Sequence, residues 1–153
     1  MDARSAASPQ SLFIASDHAG FALKEYFKEH RPNLLWCDLG PLLEERVDYP
    51  DFADKVSAQV AQGHGLGILI CGSGQGMAMR ANKYRDVRAA LCWNTEVAEL
   101  AREHNNANVL CLGGRLMAPE LAVQILDIFL KTPFLGGRHQ QRVDKLSTPP
   151  LYR

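Results

Sequence analysis

The sequence predicts an α/β protein in which a five-stranded parallel sheet lies between two layers of helices. Short apolar segments alternate along the chain with segments of helical periodicity, which implies right-handed crossovers between parallel strands. Hydrophobic residues make up 46% of the chain and charged residues 22%, as in globular proteins. A chain of 153 residues is long enough to bury the core of one domain. The predicted architecture is a three-layer α/β/α, Rossmann-like domain.

Each predicted strand is a short apolar run that ends at polar residues or glycine. Runs of this kind are typical of parallel strands that are buried on both faces of a sheet. In chain order they are SLFIAS (11–16), LLWCDLG (34–40), LGILIC (66–71), VRAALCW (87–93) and NVLCLGG (108–114).

A segment of helical periodicity follows each strand. Pro50 is expected to break the chain, so that the second helix begins near Asp51. Thr95 is a candidate N-cap of the fourth helix. Pro119 begins the fifth helix, where its missing N–H costs little. In the first helix four large side chains recur on the face that would meet the sheet: Phe21, Leu23, Tyr26 and Phe27.

The chain divides into three parts. Residues 1–10 are expected to form a flexible N-terminal tail, and residues 11–131 form the α/β domain. Residues 132–153 contain GGRHQQRVDKL, a short polar helix outside the alternation of strands and helices. A basic segment of this kind is typical of a C-terminal arm that docks on a partner subunit.

Charge and cysteine content argue against several classes of function. The 17 Lys and Arg residues balance 17 Asp and Glu, which disfavours nucleic acid or an anionic membrane as partner. No apolar run approaches the roughly 20 residues that span a bilayer, and the first ten residues, MDARSAASPQ, lack the apolar stretch expected of a secretory signal. The four cysteines form no CxxC pair, which disfavours a metal site and favours a reducing cytoplasm. A cysteine without a functional role is expected to be buried.

Polar residues and glycines follow every predicted strand. In parallel sheets of this kind, ligands bind at the carboxyl ends of the strands, near the point where the strand order reverses. The sequence therefore places one set of residues on a common rim: Asp17, His18, Asp48, Tyr49, Cys71 to Gly76, Trp93, Asn94, Gly113, Gly114 and Arg115.

The glycine-rich loop CGSGQG joins the third strand to a helix, where glycines and free N–H groups favour an anionic ligand. A phosphate-binding P-loop is disfavoured, because Gly72 to Gly76 is too short and no Lys-Ser or Lys-Thr follows. A dinucleotide-binding loop would need glycine in place of Met77. It would also need an acidic residue after the next strand, where Cys92 and Trp93 stand.

Two interpretations of this loop remain. One is a tight structural turn with an incidental thiol. The other is an oxyanion pocket, in which backbone N–H groups surround a negatively charged oxygen and Cys71 acts as base or nucleophile. A cysteine hydrolase would be one version of this pocket, with His104 and Asn105 as the partners of Cys71.

Six segments occur in a specific order: ASDHAGFALK, DYPDFA, ILICGSGQGMAMRANK, RAAL, LAREHNNANVLCLGGR and FLGGRHQQRV. Together they resemble the type B ribose-5-phosphate isomerases, which include allose-6-phosphate and galactose-6-phosphate isomerases, over about residues 12–145. The resemblance implies aldose–ketose isomerisation of ribose 5-phosphate through a cis-enediolate, with no metal and no organic cofactor. The alternatives are another sugar phosphate (allose 6-phosphate, galactose 6-phosphate or a tetrose phosphate) or a non-catalytic sugar-phosphate-binding module.

The resemblance also assigns catalytic roles. Cys71 corresponds to the base that removes the proton from C2, and Ser73 keeps a hydroxyl that is often threonine in the family. Members without the cysteine use a glutamate at the position of Met77, which accepts no proton. Fixed N–H donors would stabilise the enediolate. They are the backbone groups of Gly72, Ser73, Gly74, Gln75 and Gly76.

Further residues correspond to those that hold the substrate in the family. His104 would open the sugar ring, and its ordinary pKa near 6.5 suits proton transfer at neutral pH. Its alternative role is to cap the end of a helix. Asp17 and Asn105 would bind sugar hydroxyls. Side chains expected to wall the pocket are Tyr49, Trp93 and His139.

The phosphate group requires cations. Arg138 and Arg142 are four residues apart, so a helix places both guanidinium groups on one face. Guanidinium groups bind phosphate oxygens in bidentate fashion, although a solvated charged face is the alternative. The resemblance adds His18, which also contacts the sugar, and Arg115. It implies that the C-terminal arginines come from a partner subunit, as in a homodimer with shared active sites or a tetramer.

Overall fold

A computed structural model describes residues 10–152, which form one parallel sheet covered by helices on both faces. The strands are β1 (Ser11–Ser16), β2 (Leu35–Asp38), β3 (Leu66–Cys71), β4 (Ala89–Leu91) and β5 (Val109–Gly113). The helices are α1 (Phe21–His30), α2 (Tyr49–Ala61), α3 (Gln75–Ala81), α4 (Thr95–Asn105), α5 (Pro119–Lys131) and α6 (Arg138–Leu146). The predicted fold class is confirmed.

The five strands lie in the order β2-β1-β3-β5-β4, and every neighbouring pair is parallel. Helices α1, α4 and α5 cover one face of the sheet, and α2 and α3 cover the other. Alternate strand residues enter the two apolar clusters that result. Ile68 packs in the cluster that contains Phe27 of α1, and Leu69 packs in the cluster that contains Val56 of α2.

The strand order reverses at β1, because the chain runs outward to β2 and then returns across β1 to β3. Ser16 at the end of β1 pairs with Ile70 of β3, and Cys71 at the end of β3 pairs with Gly113 of β5. The segments that follow these strands therefore emerge side by side on one rim.

Two helix starts differ from the prediction. Helix α2 begins at Tyr49, so Pro50 lies in its first turn and does not delay the helix. Proline is tolerated there because the first N–H groups of a helix have no intrahelical partner. Helix α4 is capped by Asn94 and not by Thr95, since the Asn94 side chain accepts the Val97 N–H at 2.8 Å.

The C-terminal arm packs against α4 of its own chain. The Leu135 N–H donates to the Glu103 carbonyl at 3.1 Å, and His139 and Val143 of α6 are buried. Residues 1–9 of the predicted N-terminal tail lie outside the described part of the chain. No helix within residues 10–152 combines the length and the hydropathy that a membrane crossing requires.

Helix α1 buries a lysine that its apolar pattern does not predict. Lys24 is 0% exposed, and its Nζ lies 2.7 and 2.9 Å from the two carboxylate oxygens of Asp38 on β2. The same Nζ donates to the Pro41 carbonyl at 2.8 Å. A buried ammonium group requires such partners, because an unpaired charge in the interior is costly. Lys24 thereby ties α1 to the start of the loop between β2 and α2.

Candidate active site

The glycine-rich loop turns sharply between β3 and α3 and brings the Cys71 thiol against its own backbone. Gly74 has φ of +79°, a conformation that side-chain-bearing residues rarely adopt. The turn directs the Gly74 N–H to Cys71 Sγ at 3.1 Å. The Gln75 N–H donates in turn to Ser73 Oγ at 3.4 Å. Two of the five predicted anion donors are therefore engaged by side chains of the loop itself.

Cys71 is reached through a cavity at the carboxyl ends of the strands. The residue is 5% exposed, but it lines an open cavity of about 470 Å³. The sulfur therefore has a route to a ligand. The lining residues come from the ends of β1, β3 and β5 and from the start of α2: Asp17, Tyr49, Cys71, Gly72, Ser73, Gly76, Arg115 and Leu116.

The Tyr49 ring forms one wall of this cavity and lies against the glycine loop. A Cβ atom at Gly76 would come within 2.4 Å of the ring, so only glycine allows this approach. Tyr49 is 39% exposed, and one side of its ring stays open to the cavity. The structure thus places Tyr49 where the sequence predicts a wall residue.

Asp17 is held in position beside the thiol by the backbone that follows it. Its Oδ1 accepts the N–H groups of Ala19 at 2.9 Å and Gly20 at 3.1 Å. These bonds fix the carboxylate, which is 7% exposed and lines the same cavity as Cys71. A fixed acceptor in this place is suited to bind a hydroxyl group of a ligand.

A second cavity, of about 700 Å³, adjoins the first at Arg115. Its other lining residues are His18, Ala19, Glu44 and Arg46. Backbone hydrogen bonds hold Arg115 at the boundary, since the Gly114 N–H donates to the Cys71 carbonyl and the Arg115 N–H to the Gly72 carbonyl. Two arginines and a histidine make this second cavity suited to an anion.

Trp93 lies beside the first cavity and not in it. The ring is 62% exposed and lines a smaller cavity of about 160 Å³ together with Gln75 and Met117. That cavity shares Ser73 and Leu116 with the cavity of Cys71. Trp93 is therefore separated from the thiol by the Ser73 segment.

The remaining predicted site residues lie at the opposite end of the sheet. Helix α4 begins at the carboxyl rim, and its 11 residues carry the chain about 16 Å away. His104 is in its last turn, where its ring stacks on His139 of α6 with centroids 4.3 Å apart. Arg138 and Arg142 lie exposed on α6 near this pair.

Asn105 belongs to this distant group as well. It lines a cavity of about 260 Å³ with Asn82, Arg88 and Leu146. Within one chain the structure therefore brings together Asp17, His18, Tyr49, residues 71–76 and Arg115. It does not bring His104, Asn105 or the α6 residues to them.

Burial lowers the pKa of His139, and the nearby His104, Arg138 and Arg142 lower it further. Each of these groups disfavours an additional positive charge on His139. His139 therefore carries little positive charge at neutral pH. Arg138 and Arg142, which lie near this pair of histidines, supply the positive charge of a surface suited to bind an anion.

The other cysteines differ from Cys71 in their surroundings. Burial raises the pKa of Cys92 to about 12, and burial also raises the pKa of Cys111 well above its usual value. Cys37 is exposed on the edge strand β2, contrary to the expectation of burial. The described residues contain no group of three or more His, Cys, Asp or Glu side chains arranged to hold a metal ion.

Comparison with known proteins identifies the family. The model of the family described as Ribose/Galactose Isomerase matches residues 12–146, nearly the whole chain. This chain belongs to the ribose/galactose isomerase family. The resemblance noted in the sequence is thereby confirmed.

Individual relatives match this isomerase along most of its length. A probable ribose-5-phosphate isomerase B of Mycoplasma genitalium is 48% identical over 141 residues, which are 89% of this chain and 93% of the relative. The crystal structure of a Thermotoga maritima ribose 5-phosphate isomerase has a TM-score of 0.90 at 48% identity, over 93% of this chain and all of that one. The M. genitalium enzyme with bound ribulose-5-phosphate has a TM-score of 0.86 at 47% identity, over 90% of this chain and 93% of that one.

Two residues of the second cavity escape the sequence argument. Glu44 and Arg46 line the cavity of His18 and Arg115 although they lie in an irregular loop between β2 and α2. The sequence carries only a weak signal for them, the charged run Glu44 to Arg46 directly before the DYPDFA segment. A charged run in a loop is more often solvated than functional, and only the tertiary structure shows that two residues of this run line the cavity.

Proposed function

We propose that this isomerase interconverts D-ribose 5-phosphate and D-ribulose 5-phosphate, with Cys71 as the base. The observation that supports this most directly is the pair of cavities that adjoin at Arg115. One contains a thiol, a carboxylate and a hydroxyl, and the other contains cations. This arrangement suits a short polar chain with a phosphate at its far end. A bound ribulose-5-phosphate in the M. genitalium relative is consistent with that choice.

The first chemical step is removal of the proton from C2 of the open-chain aldose by the Cys71 thiolate. The electrons of the broken C–H bond form a C1–C2 double bond, and the carbonyl oxygen O1 takes the negative charge. The Gly74 N–H donates to Sγ at 3.1 Å and holds the sulfur in place for the transfer. Donors to the enediolate would then be the N–H groups of Gly72, Ser73 and Gly76.

The second chemical step returns a proton to carbon. A proton moves from O2 to O1, for which the Ser73 hydroxyl lies in the same cavity. The Cys71 thiol then protonates C1, a carbonyl forms at C2, and the thiolate is regenerated. No proton or electron is gained or lost over the cycle. Asp17 holds a sugar hydroxyl during both steps, because its position is fixed by two N–H groups.

His104, Asn105, Arg138 and Arg142 would act in the site of a second copy of the chain. Each lies at the end of the sheet opposite Cys71 in its own chain, on α4 or α6. A homodimer with shared active sites would supply the ring-opening histidine and two more phosphate ligands to each Cys71. The His139 ring, stacked on His104, would hold that histidine in place.

A panel of aldose phosphates tests the substrate assignment. We expect kcat/KM to be highest for ribose 5-phosphate, and lower for allose 6-phosphate, galactose 6-phosphate and erythrose 4-phosphate. A hexose phosphate with the highest value would replace the substrate and keep the chemistry. Purified, folded protein that isomerises none of these compounds would overturn the proposed function and favour a non-catalytic binding module.

A further inference from the structure

The loop between β2 and α2 is held at both ends by hydrogen bonds. At its start the buried Lys24 ammonium donates to the Pro41 carbonyl at 2.8 Å. At its end the Val47 N–H donates to His18 Nδ1 at 3.4 Å. Residues 42–46 between these anchors are exposed, and they include three consecutive charged side chains. These two hydrogen bonds restrict the positions that the three charged side chains can take.

The hydrogen bond from the Val47 N–H also determines the tautomer of His18. Because Nδ1 accepts an N–H, it is the unprotonated nitrogen, and the proton of the neutral ring is on Nε2. His18 lines the 700 Å³ cavity and can use Nε2 as a donor to an anion there. The loop thus orients one cavity residue and supplies two others.

The two residues that the loop supplies have opposite charge. Arg46 and Glu44 both line the cavity, and so does Arg115. Among residues 10–152, neither Arg46 nor Arg115 lies in a salt bridge with a carboxylate, whereas Arg31 and Arg80 each pair with an aspartate. Two arginines that line a common cavity and form no salt bridge within this described part of the chain are suited to bind a dianion.

We propose that Arg46 determines phosphate affinity and specificity in this enzyme: with His18 and Arg115 it binds the phosphate group of the substrate, while Glu44 opposes that binding. The inference rests on the proposed function and extends it to residues that the family resemblance does not assign. Phosphate is remote from C1 and C2, so Arg46 contributes equally to the ground state and the transition state. Its loss therefore changes KM and leaves kcat nearly constant.

Three variants test the proposal. Arg46→Gln removes the charge, and we expect KM for ribose 5-phosphate to rise about tenfold, the effect of losing one charge-assisted contact. Glu44→Gln removes a repulsive charge, so KM falls about twofold. Glu45→Gln is the matched control, because Glu45 is equally exposed in the same loop but does not line the cavity. In this control KM stays at the wild-type value.

A second readout separates phosphate binding from support of the loop. Inorganic phosphate is used as a competitive inhibitor, and its Ki should rise in Arg46→Gln by the same factor as KM. The melting temperature and kcat should stay unchanged, and added salt should shrink the difference from wild type. Arg46→Lys should recover most of the affinity.

An unchanged Ki in Arg46→Gln, or an equal effect in the Glu45→Gln control, would overturn the proposal. A fall in kcat and melting temperature without a change in Ki would do the same, since it would mark a structural role. If the protein isomerises no sugar phosphate, titration of inorganic phosphate by calorimetry still decides the point. Phosphate binding that weakens in Arg46→Gln would keep the anion site although the proposed reaction had failed.

Discussion

The Cys71 thiol accepts a backbone N–H at 3.1 Å and lines an open cavity, whereas Cys111 lies wholly buried in the core. The high pKa that burial gives Cys92, about 12, keeps that thiol protonated at neutral pH. Cys92 and Cys111 are therefore buried core thiols, whereas Cys71 is open to a ligand and is the sulfur that we propose as the base. What separates the two cases is a glycine with positive φ three residues after Cys71.

Replacement of Cys71 by alanine tests the role of the sulfur. We expect kcat to fall by about a thousandfold or more, as for loss of a general base, while the affinity for inorganic phosphate stays at the wild-type level. Steady-state kinetics and phosphate titration measure the two effects. Cys37→Ser is the control, because Cys37 is exposed on the edge strand and should leave both values unchanged. Turnover that persists in Cys71→Ala would assign the base to another residue.

Helix α1 and strand β2 are joined by an ion pair that also fixes the loop leading to the site. Lys24 is fully buried, and its ammonium bonds both oxygens of Asp38 and the Pro41 carbonyl. Lys28 reaches the same carboxylate at 2.7 Å, but its side chain is 29% exposed. The two lysines therefore share one partner and differ in burial, which makes them a matched pair for mutation.

Lys24→Met should lower the free energy of unfolding by about 3 kcal/mol, because it removes the buried ion pair with Asp38 and leaves the Pro41 carbonyl without this donor. Lys28→Met should lower the free energy of unfolding by less than about 1 kcal/mol, because the Lys28 amine is more exposed than that of Lys24. Urea denaturation at pH 7 measures both. Equal losses in the two variants would show that burial of Lys24 is not what makes its contacts valuable.

The same ion pair predicts a dependence on pH. Burial works to raise the pKa of Asp38, but hydrogen bonds from Lys24 and Lys28 outweigh it and lower the pKa below 3.8. The stability that Asp38 contributes is full above pH 3.8 and is lost as the pH falls through the lowered value. The difference in stability between wild type and Lys24→Met should therefore shrink below about pH 4.

At the scale of the whole molecule, the predicted site residues fall into two groups at opposite ends of one sheet. Cys71 and Arg115 lie at the carboxyl ends of the strands. His104 lies in the last turn of the 11-residue helix α4, and the arginines lie on α6 near that end. A single chain cannot close that separation, since the helix is a rigid spacer of about 16 Å. Two chains can, if each presents its α4–α6 end to the other's Cys71.

Mixing two defective variants tests the shared site. Cys71→Ala and Arg142→Ala are each expected to show little activity at low substrate concentration. After unfolding and refolding together, half of the dimers would contain both chains, and one of the two sites in each would have neither substitution. Activity should therefore recover to about a quarter of wild type. No recovery in a mixture that demonstrably exchanges subunits would place the complete site within one chain.

The secondary structure of this protein could be read from its sequence because the relevant signals are local. The apolar runs of β1 and β3 and the start of α5 at Pro119 coincide with their predicted bounds. The glycine loop and its cysteine were also apparent, since positive φ and close approach restrict a position to glycine. Where a competing local signal existed, as with Pro50 or Thr95, the boundary shifted by one or two residues.

The tertiary structure alone decided which of these residues share a site. Periodicity does not show that Lys24 is buried with Asp38, that Arg46 turns into the cavity of His18, or that His104 ends at the opposite rim. Each of these facts depends on strand order and helix length, which arise from contacts between residues far apart in the chain. The sequence by itself determined the elements and the glycine loop with its thiol at the end of β3. Packing of the elements determined which other groups lie near that loop, because distance through space does not follow distance along the chain.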